Sequence, residues 1–365
     1  MRFPFALSRS LAGYLLRQKL ARRKRFPLVL MLEPSHACNL SCAGCGRVRE
    51  YGDTIGQRMP VAECLAAADE CGAPVVSVCG GEPLLYPDIE ELLRGLLARR
   101  KHVYLCTNGL LLARKIAMLP RSPRLFINVH LDGMEATHDR LVGQQGAFAA
   151  VVEGIQAAAA AGLRITTNTT IYHDTDMDEV AVLWEYLGEL GVGDFMVSPA
   201  YAYEAVVRPK GTVPFSPVRD GQADENWDSP REQPPDPAAA ERMFMTRGQV
   251  REKFRRARPM LARFRLVASP LYLEFLCGQR ELTCAAWASP TRNVRGWRGP
   301  CYLIADAHYP TYRELLQATD WQRLGPDSDQ RCRDCLVHCG FEPAAVLAAQ
   351  GRLRDMLKMA VWQMT

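Results

Sequence analysis

Between residues 28 and 198, short β-rich apolar runs alternate with helix-length segments, and this alternation restricts the fold more than any other feature of the chain. The runs are 28–32, 75–79, 103–107, 125–131, 165–171 and 195–198, and the helical patterns between them are 61–71, 89–99, 111–118, 147–161 and 177–190. Consecutive strands joined through helices return parallel to one another by right-handed crossovers. Six such strands predict an α/β fold, a partial (β/α)6 barrel with its helices outside.

The barrel occupies residues 27–206. A basic segment, 1–26, precedes it. Residues 207–242 are rich in Pro, Gly and Asp without periodicity, which predicts an insertion or linker. Residues 243–365 form a Cys-rich C-terminal module that closes with a helix-like tail, AAVLAAQGRLRDMLKMAVWQM.

Thirteen cysteines in 365 residues are too sparse for a disulfide scaffold, and their clustering is that of metal ligands in a reducing compartment, which predicts the cytoplasm. Arg9, Arg17 and Lys19 interrupt the N-terminal apolar pattern, and no run approaches the ~18 residues of a spanning helix. The net charge of +5 is concentrated in LLRQKLARRKR, so the chain as a whole is not read as binding nucleic acid. Interleaved with Phe3, Phe5, Leu11, Tyr14, Leu15 and Leu16, these charges fit a basic helix lying on the inner face of the membrane, or one packed on the barrel.

Directly after the first strand comes EPSHACNLSCAGCGRVRE, a CxxxCxxC of Cys38, Cys42 and Cys45. A structural zinc site closes a tetrahedron with four ligands, and His36 is the one nearby candidate for the fourth. A [4Fe–4S] cluster held by three thiolates keeps one iron open for a ligand. The other polar groups at strand ends fall where barrel active sites gather: GGEP (Gly80, Gly81, Glu82, Pro83), TNG with Asn108, then Asn128, His130, Asp132, Asn168 and Ser198. Cys79 and Cys106 end the second and third strands and could face the barrel interior. Cys64, Cys71 and Cys277 read as buried structural thiols.

CxxxCxxC after the first strand, GGEP after the second, and the βα repeat together resemble the radical S-adenosylmethionine (SAM) superfamily over residues 27 to about 203. The resemblance implies a TIM-like barrel and a [4Fe–4S] cluster on Cys38, Cys42 and Cys45 that chelates SAM. It also implies backbone contact from GGEP to the SAM ammonium, with Glu82 accepting from it, and ribose and adenine contacts from Asn128, His130, Asp132, Asn168 and Ser198; of Cys79 and Cys106, the favoured hydrogen-atom donor to a carbon radical is Cys106. Cys284, Gly296 with Cys301, and Cys332, Cys335 and Cys339 resemble modules carrying a second [4Fe–4S] cluster; zinc on four of these thiols is the competing reading.

KRFPLVLMLEP, CNLSCAGCG, ECLAAADECGAPVVSVCGGEPLL, VYLCTNGLLL, VHLDG, VSPAYAYE, SPTRNV and CRDCLVHCGFEP are together similar to the adenosylhopane synthases of hopanoid biosynthesis. That resemblance implies addition of the 5′-deoxyadenosyl radical to the alkene of diploptene, a hydrophobic triterpenoid, with flavodoxin or ferredoxin as electron donor. Three alternatives stand beside it: adenosylation of another polycyclic lipid, hydrogen abstraction with release of 5′-deoxyadenosine, and a non-catalytic iron–sulfur or zinc scaffold.

Overall fold

A computed structural model describes residues 5–207 and 243–364. Residues 1–4 and all but the first residue of the predicted 207–242 insertion lie outside the described residues.

The six predicted strands are present: β1 (Val29–Leu32), β2 (Val75–Val78), β3 (His102–Thr107), β4 (Leu125–His130), β5 (Arg164–Ile171) and β6 (Asp194–Pro199). All pair in parallel with their sequence neighbours, in registers such as Val29 with Val75 and Cys106 with Asn128. Helices α2 (Val61–Cys71), α3 (Ile89–Ala98), α4 (Glu135–Val142), α5 (Ala147–Ala160) and α6 (Met177–Glu189) run between strands, following α1 (Phe5–Leu20). The sequence pattern missed α4, because Glu135, His138, Asp139 and Arg140 hide its apolar face.

Strand alternation divides the residues between two faces. Leu30, Leu32, Val76, Val78, Val103, Leu105, Ile127 and Val129 are fully enclosed against the helices, each contributing about 1.5–3 kcal/mol by burial. The intervening positions turn to the concave side, where Tyr104 stacks on Phe126 with ring centroids 4.7 Å apart and polar side chains follow toward the strand ends.

The C-terminal segment contributes three strands that the sequence reading did not anticipate: β7 (Thr291–Asn293), β8 (Gly296–Pro300) and β9 (Ala305–Tyr309). They extend the same sheet, giving the order β6-β5-β4-β3-β2-β1-β7-β8-β9, with β7 parallel to β1 and β8 and β9 antiparallel. The opposite edge is covered as well: Phe195 of β6 donates to the Arg265 carbonyl and accepts from Val267, both at 2.8 Å. Unpaired strand edges are thereby reduced on both sides of the barrel. Helices α7 (Arg247–Leu261), α8 (Pro270–Leu276), α9 (Tyr312–Ala318), α10 (His338–Ala349) and α11 (Leu353–Met364) complete the segment, the predicted single tail being broken at Gly351.

Helix α1 packs inward through Tyr14, whose hydroxyl donates to the Pro27 carbonyl at 2.7 Å, in a cluster with Phe26, Ala288 and Ala344. Leu16 and Leu20 remain exposed. Among the described residues no helix is long and apolar enough to cross a membrane.

Candidate active site

Cys38, Cys42 and Cys45 sit on the loop leaving β1 at the C-terminal mouth of the barrel. Burial and the nearby Glu82 charge push Cys38 up to about 12, and burial with the neighbouring thiols raises Cys42 well above its ordinary value. Thiolates at these positions therefore need a cationic partner. The loop is held in place from outside: Ala43 N–H donates to the Leu141 carbonyl at 2.9 Å and Gly46 N–H to the Tyr203 hydroxyl at 2.7 Å.

His36 faces away from the thiols. It is fully buried, stacked on Tyr51 at 3.9 Å, with Nε2 3.3 Å from Glu33 Oε2. The loop thus offers three thiols without the fourth ligand that structural zinc requires. Among the described residues no three His, Cys, Asp or Glu side chains converge as a single bound ion needs. A three-thiolate set fits a four-iron cluster with one open corner.

Gly80 and Gly81 approach this loop rather than open space. A Cβ on Gly81 would lie 2.0 Å from the Ala37 carbonyl oxygen, and one on Gly80, whose φ is +111°, 2.4 Å from that of Ser35. Glu82 is buried, and burial raises its carboxyl to about 7 despite three donors. Its Oε1 accepts from Thr107 Oγ1 at 2.7 Å and Leu84 N–H at 2.9 Å, and its Oε2 from Asn108 N–H at 2.7 Å. Only Oε2 keeps capacity for a further donor, so much of this side chain's work is to join the ends of β2 and β3. Pro83 begins the short helical turn that follows. Asn108 Nδ2 donates to Asn39 Oδ1 at 2.7 Å, bringing it beside Cys38.

Inside the barrel, Cys106 Sγ lies 3.2 Å from Ser77 Oγ and 3.6 Å from Asn128 Nδ2. Asn128 is fixed in turn by Thr166 Oγ1, which donates to its Oδ1 at 3.1 Å. Burial raises the Cys106 thiol above its ordinary value, leaving the S–H intact at neutral pH. Cys79 also lies near Glu33 and Cys106, but is more enclosed.

At the ends of β4 and β5, His130 Nε2 pairs with Asp132 Oδ2 at 2.9 Å, while Asp132 Oδ1 accepts from Thr170 N–H at 2.7 Å. Burial lowers the affinity of His130 for a proton, but attraction to Asp132 prevails and raises it. Asn168 Oδ1 is buried without a hydrogen-bond partner among the described residues, leaving an acceptor for a ligand. Ser198 differs from the others: its Oγ lies 3.2 Å from His338 Nδ1, a contact that ties β6 to α10.

Sequence reasoning missed a buried network behind the loop. Arg47 forms ion pairs with Glu33 at 3.0 Å and Glu50 at 3.1 Å and donates to the Tyr302 carbonyl at 3.0 Å. Asn293 Nδ2 donates to Tyr51 at 2.9 Å, and Arg298 pairs with Glu50 at 2.9 Å. Arg47 and Glu33 flank the cysteine motif, but their C-terminal partners lie too far along the chain for local spacing to reveal them.

The remaining predicted ligands also come together. Cys284, Cys301, Cys332, Cys335 and Cys339 line one cavity beside Tyr201, just beyond β6. Cys64, Cys71 and Cys277 are buried separately, as expected of structural thiols.

Residues 32–187 match the Radical SAM superfamily model, and residues 236–359 match a domain of unknown function, DUF3463. The AdoMet-dependent heme synthase of Methanosarcina barkeri is 31% identical over 45% of this chain and 48% of its own length. GTP 3',8-cyclase 1 of Mycobacterium tuberculosis is 32% identical over 43% of this chain and 47% of its own. The chain spans about half the length of the curated relatives it matches. Among solved structures, Streptococcus suis SuiB bound to precursor peptide SuiA has a TM-score of 0.55 at 15% identity, over 78% of this chain and 62% of that one. Native anSMEcpe with bound AdoMet has a TM-score of 0.53 at 13% identity, over 93% of this chain and 97% of that one. These structural likenesses establish the shared fold.

Proposed function

We propose that this chain, whose residues 32–187 form a radical SAM domain, joins a 5′-deoxyadenosyl group to the alkene of an apolar polycyclic lipid and completes the product with a hydrogen atom from Cys106. The observation that carries the reading is the Cys106 thiol, held inside the barrel between Ser77 and Asn128. Diploptene is the specific lipid proposed, from the resemblance of the chain's motifs to those of adenosylhopane synthases.

Cys38, Cys42 and Cys45 would hold a [4Fe–4S] cluster, which with SAM would supply the 5′-deoxyadenosyl radical. The residues of the chain position the rest. His130, Asp132 and the Asn168 oxygen would meet the nucleoside, and the stacked Tyr104 and Phe126 present an apolar floor. Addition to the alkene forms a carbon–carbon bond and leaves a radical on the lipid. Cys106 S–H gives up its hydrogen atom, a C–H bond forms, and the resulting thiyl takes one electron from flavodoxin or ferredoxin and one proton from water.

The heme synthase and the GTP cyclase are named for unlike reactions, so similarity over the shared half supports the SAM chemistry and leaves the substrate to the rest of the chain. A lipid substrate accords with the exposed apolar side chains of Leu353, Leu357 and Met364 on α11, and of Leu16 and Leu20 beside Arg17 and Lys19 on α1. These features favour contact with an anionic membrane surface.

The test is an anaerobic reaction with SAM, a reductant and diploptene in liposomes, followed by mass spectrometry of the extracted lipid. The expected product carries the adenosyl group and one added hydrogen. Release of 5′-deoxyadenosine in step with turnover, with no adenosylated lipid, would instead establish hydrogen abstraction.

A further inference from the structure

We propose that Cys79 is a second hydrogen-atom carrier, which resets Cys106 from the barrel wall after each turnover. The inference rests on the reaction proposed above and adds the route by which the Cys106 thiyl regains its hydrogen.

Register and strand alternation set the two thiols side by side. Ser77 pairs with Tyr104 and Val78 with Leu105, so the next residues, Cys79 and Cys106, stand opposite each other on strands ~4.8 Å apart. Ser77 Oγ reaches Cys106 Sγ at 3.2 Å, which puts both on the concave face. Cys79, two residues beyond Ser77, shares that face, and its N–H donates to the Leu32 carbonyl at 2.8 Å, keeping its backbone in the ladder. A charge on Cys106 opposes ionisation of Cys79, as expected of neighbouring sulfurs.

Their surroundings divide the work between them. Cys106 is partly open to the interior, where the lipid radical forms, whereas Cys79 is only 7% exposed. Cys79 lies toward β1, within the influence of Glu33 and Arg47, and Tyr302 is close enough to feel its charge. It is too enclosed to meet a bulky substrate. Burial holds it as S–H, and the Gly80 amide donates to its sulfur.

The other groups around Cys106 do not fit this part. The O–H bond of Ser77 and the N–H bonds of Asn128 are stronger than an S–H bond and give no hydrogen atom to a thiyl. Tyr104 is on the same face, but its hydroxyl is influenced more by Asp194 than by Cys106.

Once Cys106 has given its hydrogen atom to the lipid, the Cys79 S–H bond breaks, that hydrogen forms a new S–H bond on Cys106, and the unpaired electron passes to Cys79. One electron from flavodoxin or ferredoxin and one proton from water then restore the Cys79 thiol. The exchange trades one S–H bond for another, so reduction of Cys79 draws it forward. Cys106 recovers its hydrogen without a reductant entering the substrate space.

The test uses the full chain, reconstituted anaerobically and supplied with SAM, a reductant and diploptene in liposomes. The unchanged protein is expected to turn over repeatedly. Cys79→Ala and Cys79→Ser should each form about one equivalent of adenosylated lipid and then slow at least ~10-fold, whereas Cys106→Ala should lose the first equivalent as well. Iron content and the SAM-responsive spectrum of each variant show that the barrel is folded and loaded. A second readout needs no turnover: diamide, whose N=N bond takes up two thiol hydrogens, should join Cys79 to Cys106, since neighbouring-strand spacing falls within disulfide reach. Tandem mass spectrometry of the digest locates the link. Undiminished repeated turnover by both Cys79 variants, or absence of the link, would overturn the relay and leave the reaction standing. A protein that forms the link but makes no adenosylated lipid would overturn the reaction, and the relay with it.

Discussion

Asn128 Nδ2 lies 3.6 Å from Cys106 Sγ, its direct register partner across β4 and β3. The amide and Ser77 Oγ fix the direction of a thiol that burial keeps protonated. Cys106→Ala is expected to reduce the yield of saturated adenosyl lipid at least ~10-fold, equivalent to ~1.4 kcal/mol of barrier, without changing iron content or SAM cleavage. Asn128→Ala should have a smaller effect in the same direction. Product yield and iron are measured on the same preparations, and full yield from Cys106→Ala would remove the residue from the mechanism.

The two glycines of GGEP yield a second prediction. Gly81→Ala places a methyl group 2.0 Å from the Ala37 carbonyl, and neither backbone is free to give way. The loop carrying Cys38 must shift. The variant is expected to reconstitute less iron at the SAM-responsive cluster and to melt several degrees lower, as ~1–3 kcal/mol of strain implies. Iron assay with thermal unfolding checks both effects, and unchanged SAM-responsive spectra would show that the close approach is dispensable.

These glycines illustrate what the sequence could and could not reveal. Their spacing after β2 placed them at the barrel mouth, but their close approach to Ser35 and Ala37 became visible only when two loops met in space. The six parallel strands were legible because each is a short apolar run bounded by helix patterns. By contrast, β7 reads as TRN and pairs with β1 through residues 260 positions away, as Met31 does with Thr291. Its strand character is conferred by the neighbour. Likewise, Ser198 was placed correctly at a strand end, but its contact with His338 depends on how the C-terminal segment covers that edge.

Glu342 supplies a pH-dependent prediction. It is partly buried on α10, with its Oε2 covered; Oε1 accepts from Ser269 N–H at 3.0 Å, and Oε2 has no hydrogen-bond partner among the described residues. Burial raises its carboxyl from 4.5 to about 7. The folded state thus binds the proton more tightly than the unfolded state. Its stabilisation is full below pH ~4.5 and is lost as pH rises through ~7, a difference of about 3 kcal/mol. Glu342→Gln keeps an acceptor for Ser269 and removes the titration. Denaturant unfolding of the anaerobic protein between pH 5 and 8 should show a flatter stability profile for the variant, and identical profiles would refute this account of Glu342.

The last prediction concerns α11. Leu353, Leu357 and Met364 are 69%, 58% and 64% exposed at roughly helical spacing, and Val361 between them is 54% exposed. Helix α11 contacts α10, against which α1 packs through the cluster containing Tyr14 and Ala344. The apolar stripe and the basic N-terminal helix are therefore joined by one intervening helix, an arrangement suited to an anionic lipid surface. Each leucine or methionine entering the interface contributes on the order of 1 kcal/mol, so Leu357→Glu/Met364→Glu should weaken co-sedimentation with anionic liposomes by at least roughly tenfold. Because these side chains are exposed, the melting temperature should change little. Raising the salt concentration should weaken binding of the unchanged protein through its Arg17, Lys19 and Arg22–Arg25 charges, while a retained apolar contribution persists. Equal liposome binding by the double variant would exclude this face from membrane contact, and with it the route by which a lipid substrate is proposed to reach the barrel.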